Sequence, residues 1–69
     1  MYVIRKTTTY PLLDRVVVSY FKDCICGIES YSSSIEDALH FRTRDEAIEC
    51  RMYYIRKRKC DKNEIVKVD

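Results

Sequence analysis

The chain has little of what most chemistry requires. Among 69 residues there is one Gly, one Pro, one His and no Trp. A single Gly leaves no phosphate-cradling loop, and there is no Gly-x-Ser-x-Gly and no His–Glu pair at metal spacing. With His40 as the only imidazole, a Cys–His nucleophile pair has one candidate base and nothing in sequence to hold it. The reading is of a protein that is not an enzyme and carries no cofactor. Apolar runs reach only four or five residues, against the roughly 20 needed to cross a bilayer. The opening "MYVIRKTTTYP" lacks the apolar core of a signal peptide. A cytoplasmic protein without membrane contact is therefore expected.

Charge of one sign is scarce too. Thirteen Lys and Arg against eleven Asp and Glu give +2, too little to imply a polyanion partner. Apolar residues make up 46% and Tyr occurs six times, so the chain is globular rather than disordered. Its length suits one domain, residues 1–69, near the lower limit for a core without staples.

Cys24, Cys26, Cys50 and Cys60 are the one set able to hold a metal such as zinc. Zinc sites usually show two Cys-x-x-Cys knuckles, whereas this chain has one Cys-x-Cys in a strand, one Cys in a helix and one beyond it. Free thiols and no metal are expected, with Cys as a small hydrophobe.

"YVIRKTTTY" has strand composition and ends at Pro11. "RVVVSYF" is a stronger strand, with Val16, Val18 and Tyr20 on one face and Val17, Ser19 and Phe21 on the other. "KD" at 22 and 23 is the expected turn, "CICGI" a third strand, and "SYSSS" a polar loop. Ile35, Ala38 and Leu39 predict a helical turn. Thr43 and Glu46 then form a capping box opening a helix from about Arg44 to Lys59. Its inward stripe is Ala47, Ile48, Cys50, Tyr54 and Ile55. Arg51 falls within that stripe and so must snorkel or find a partner. "EIVKVD" is a final strand beside the first. The fold class is α+β, a small antiparallel sheet of three to four strands with one amphipathic helix packed on one face.

Two surfaces follow. Arg56, Lys57, Arg58, Lys59 and Lys62, with Arg42, Arg44 and Arg51 nearby and Tyr53 and Tyr54 interleaved, would suit phosphates and stacked bases. Cations in a last helical turn equally serve the negative end of the helix dipole, and four in a row point around the axis. Acidic neighbours dilute the patch. Nucleic-acid binding is thus the alternative. The leading reading is protein binding, anchored by Tyr and Arg: Tyr53, Arg56 and Arg58 on the helix, and Tyr10, Tyr31 and, more as packing, Tyr20 on or near the sheet. A bare sheet face or edge also allows a homodimer.

Residues 35 to 49, "IEDALHFRTRDEAIE", with the terminal "NEIVKVD", resemble a pattern found in small phage and prophage accessory proteins. A short Ala-x-x-Phe piece there precedes a Thr- or Ser-capped helix, and an "EIVKV" strand ends the chain. The matching residues here are Ala38, Phe41, Thr43, Glu46, Ala47 and Ile65 to Val68. The resemblance implies a β–β–α–β fold and a viral origin. It also implies action in the host cytoplasm by stoichiometric binding to a host protein, such as a component of its defence. It carries over no catalytic or binding residue.

Overall fold

In the computed structural model, which describes residues 1–68, the first strand, β1, spans Tyr2–Tyr10. A short 3-10 turn at Pro11–Leu13 and Asp14, in left-handed conformation, reverse the chain into β2, Arg15–Ile25. The pairing Lys6↔Ser19, Thr7↔Val18, Thr8↔Val17 puts Val17, Ser19 and Phe21 on one face and Val16, Val18 and Tyr20 on the other. That alternation is the one the sequence predicts. The order of the antiparallel sheet is β3-β2-β1-β4, where β3 is Ile28–Ser32 and β4 is Asp61–Lys67. The closing strand lies beside the first, as expected; Asp69 lies outside the described residues.

The β2–β3 hairpin departs from expectation. Lys22 and Asp23 do not turn the chain; a bulge interrupts the β2–β3 register there and the strand continues to Ile25. The turn is Cys26–Gly27, whose φ values of 52° and 77° are both positive, closing a two-residue loop between paired Ile25 and Ile28. Positive φ at both central residues is the type I′ geometry that matches the right-handed twist of a hairpin. Gly27 supplies it without strain, while Cys26 adopts it against its preference. Ser30 to Ser32, expected in a loop, belong to β3.

Beyond the bulge another segment continues the sheet. Leu39 donates its amide to the Phe21 carbonyl at 3.0 Å, and Tyr2 and Phe41 exchange two backbone bonds at 2.8 and 2.7 Å. Val3 and Ile4 are both fully buried although successive strand residues face opposite ways, so this end of β1 is covered on both sides. The predicted turn before it is a 3-10 turn at Ile35–Asp37.

The helix, α1, spans Arg44–Tyr54. The Glu46 amide donates to Thr43 Oγ1 at 3.2 Å, forming the cap read from sequence. The Glu46 carboxylate takes the Thr43 hydroxyl rather than the cap's amide. Ala47 and Ile55 join Ile4 and Phe21 in the core, with Tyr2, Cys24, Tyr31, Phe41, Cys50 and Ile65 packed around them. Arg51 finds its partner in the Asn63 carbonyl of β4, at 3.2 Å. Tyr54, expected to face inward, is 58% exposed.

The helix stops five residues before Lys59, its expected end. Ile55 is already extended (φ −107°, ψ 123°) and buried. In a longer helix the Arg56 amide would bond the Met52 carbonyl; it bonds Glu29 Oε2 instead, at 3.1 Å. Extended backbone advances about 3.3 Å per residue against 1.5 Å for helix, and it brings the chain back to start β4. The four cations from Arg56 to Lys59 therefore follow the helix, and the only basic residue in its last turn is Arg51. Their reading as a helix terminus is corrected accordingly.

Candidate protein-binding surface

Glu29 and Tyr31 lie two residues apart on β3, so their side chains share a face, the one that carries the helix. The Tyr31 hydroxyl donates to Glu29 Oε1 at 2.6 Å. Its ring packs edge-on against Phe21, with centroids 5.9 Å apart, and takes Lys6 Nζ over its face at 3.8 Å. Cation–π contact of this kind adds about 0.5–1 kcal/mol where partly exposed. Beyond the helix, Arg56 is fastened to Glu29 through its backbone amide. In the extended connector, Arg56 and Arg58 fall on one side, and both line the hollow above Glu29 with Lys6 and Tyr31, about 410 Å³ in volume.

Electrostatics follow from this packing. Partial burial by itself would raise the pKa of Glu29. The Tyr31 hydroxyl, the Arg56 amide and the charges of Arg58 and Lys6 outweigh it and hold the carboxyl below its ordinary value. Burial, then the bond to Glu29 and its negative charge, push the Tyr31 hydroxyl well above the usual tyrosine range. Both carboxylate oxygens are occupied by neutral donors, Tyr31 and the Arg56 amide. The Arg56 and Arg58 guanidinium groups form no ion pair among the described residues. Three cations face one anion whose oxygens are already bonded.

A second hollow adjoins the first and shares Gly27, Glu29 and Arg56 with it; Met52, Tyr53 and Tyr54 form its helical wall. Tyr53 is exposed, as its helical phase predicts, at 77%. Four of the five residues read as partner anchors, Tyr31, Tyr53, Arg56 and Arg58, thus meet on one continuous surface. The fifth, Tyr10, does not. It lies at the far end of β1, lining an apolar hollow with Pro11, Leu12, Leu13 and Cys60. Tyr20 is half-buried on the face away from the helix.

The cations read for nucleic acid are divided by the same connector. Lys57 and Lys62 line a different hollow with Arg51, Met52, Asp61 and Asn63, to which Arg58 also contributes. Lys59 lies in the turn before β4 and borders neither hollow. Asp61 is held there by Thr8, whose hydroxyl donates to Oδ1 at 2.8 Å.

The thiols are separated as well. Cys24 and Cys50 both pack against the core, and burial, then neighbouring Cys24, raise the Cys50 pKa. Cys26 sits in the exposed turn rather than on a strand face beside Cys24. The Cys60 carbonyl accepts a bond from the Thr9 amide at 2.8 Å, and Thr9 pairs with Val16. Cys24 lies eight residues along β2 from Val16, roughly 25 Å of strand. No group of three or more potential metal ligands comes together among the described residues. His40 donates through Nδ1 to the Ala38 carbonyl, 2.8 Å away.

Sequence reasoning missed Lys6 and Glu29. The signal was present in "IESYS", where Glu29 and Tyr31 alternate, but only a turn at Cys26–Gly27 puts them on a strand. No helix among the described residues is long and apolar enough to cross a membrane. In comparisons with known proteins, no family model, curated protein or solved structure matches the chain.

Proposed function

We propose that this protein is a non-catalytic module that binds another protein stoichiometrically through the surface formed by Tyr31, Tyr53, Arg56 and Arg58. The observation that carries the reading is the convergence of these side chains beside a carboxylate whose own oxygens are already occupied. Tyrosine and arginine supply most of the energy at protein interfaces, because each buries a large area and still makes directed hydrogen bonds. Unpaired guanidinium groups beside exposed rings favour an acidic, partly aromatic or apolar partner surface. The resemblance of the C-terminal half to phage and prophage accessory proteins supports a host protein as the partner, met in the host cytoplasm and inhibited by being covered.

The alternative, nucleic-acid binding by Arg56, Lys57, Arg58, Lys59 and Lys62, has less support. A phosphate track needs its cations in one row, and here they line two hollows and a turn, with Glu29 and Asp61 among them. Capture from bacterial lysate by the tagged protein, with and without nuclease, separates the readings. A protein retained after nuclease treatment and lost with Arg58→Glu supports the proposal. Material retained only without nuclease, falling steeply with salt, supports the alternative.

A further inference from the structure

β3 is an outer strand, hydrogen-bonded to β2 on one side alone. The Phe21 carbonyl bonds the Leu39 amide, on the side of β2 away from β3. Tyr31, paired with Phe21, therefore turns its own amide and carbonyl outward, since the two residues of such a pair exchange no bonds. The period of two turns Glu29 outward as well. The free edge thus presents two amides and two carbonyls with the spacing of a strand.

The opposite edge is guarded. The bonds Thr9 to Cys60 and Val68 to Met1 fix the β1–β4 ladder so that Asn63 points outward, and its carbonyl is already taken by Arg51 at 3.2 Å. Lys62 and Lys67 add exposed charge to that strand, a common protection against edge pairing. β3 has no Lys, Arg or Pro, and its one charge, Glu29, is bonded inward.

We infer that β3 accepts an added strand from the partner, an extended segment in which acidic and apolar residues alternate. The inference rests on the protein-binding reading and specifies the partner's chemistry. Backbone groups of Glu29 and Tyr31 supply the pairing. On the helix side the incoming side chains meet Arg56 and Arg58, which want carboxylates. On the other side they meet Ile28, which is 72% exposed. A second copy of β3 fits poorly. Pairing about a two-fold axis would set two hollows side by side, each with three cations against one anion.

The test uses the full chain and a synthetic peptide alternating aspartate and valine, followed by amide hydrogen exchange. Exchange at Glu29 and Tyr31 slows on addition of peptide. Methylating the peptide's edge-facing amides keeps its side chains and weakens binding roughly tenfold, the effect of losing two hydrogen bonds. Replacing its aspartates with lysine abolishes binding. Equal binding by the methylated peptide, or no slowing at those two amides, overturns the inference. Slowing that rises with protein concentration in the absence of peptide also overturns it, by identifying a second copy as the occupant. Loss of lysate capture with Arg58→Glu remains an independent test of the wider reading.

Discussion

The Tyr31 hydroxyl donates to Glu29 Oε1 over 2.6 Å, between neighbours on one face of the same strand. The second oxygen of that carboxylate receives the Arg56 amide from the segment that leaves the helix. One acidic side chain therefore ties the hairpin to the connector and fixes where the helix stops. The consequence bears on the proposed function. Arg56 and Arg58 are brought to the hollow without either guanidinium being consumed by the anion within it.

Glu29→Gln loosens this tie. Its carboxyl has a lowered pKa when folded, so its contribution is present above the unfolded value, near 4.5, and is lost as pH falls through the lower folded value. Urea unfolding at neutral pH is expected to show a loss of about 1 kcal/mol for the variant. Below about pH 4.5 the gap narrows, because wild type loses the same interaction by protonation.

Cys26→Asn stabilises the protein. Cys26 holds φ at 52° in the first central position of the hairpin turn, where Asn is favoured. A gain of about 0.5 kcal/mol in thermal or urea unfolding is expected, since Asn tolerates the left-handed region better. Gly27→Ala at φ 77° shifts stability the other way by about 1 kcal/mol, although open space surrounds the position.

The thiols divide into two pairs by reactivity. Cys26 and Cys60 are exposed, whereas Cys24 and Cys50 are half-buried and burial raises the Cys50 pKa. Alkylation at neutral pH, read by peptide mass spectrometry, should label the first pair quickly and Cys50 most slowly, since only the thiolate attacks.

Phe21→Ala unfolds the domain. Phe21 is 2% exposed and anchors the Tyr31 ring as well as the core. Such a truncation costs about 3–5 kcal/mol, comparable to the whole stability of a domain this small. Circular dichroism at room temperature reports the loss.

Much of the scaffold was legible because local and tertiary preferences agree there. Val16 to Phe21 alternate, Thr43 and Glu46 cap, and Ile65 to Val68 close the sheet. Two boundaries were not legible. "RKRK" favours helix by propensity, but burial of Ile55 and the Arg56–Glu29 bond end the helix sooner. Cys-Gly is a weak turn signal beside Lys-Asp, so the turn expected from sequence lies four residues before the observed one. That error hid the site. Tyr31, Arg56 and Arg58 were identifiable by residue type, yet their meeting depends on the two boundaries that sequence placed wrongly.

The most direct test of the proposed binding surface places a photo-crosslinking phenylalanine analogue at Tyr53 or, in a separate protein, at Val18 on the opposite sheet face. Both positions are exposed, so neither change disturbs the core. After irradiation in bacterial cells, the account predicts one discrete protein adduct from position 53 and none from position 18. An adduct from position 18 alone, or nucleic-acid adducts from position 53, would contradict it.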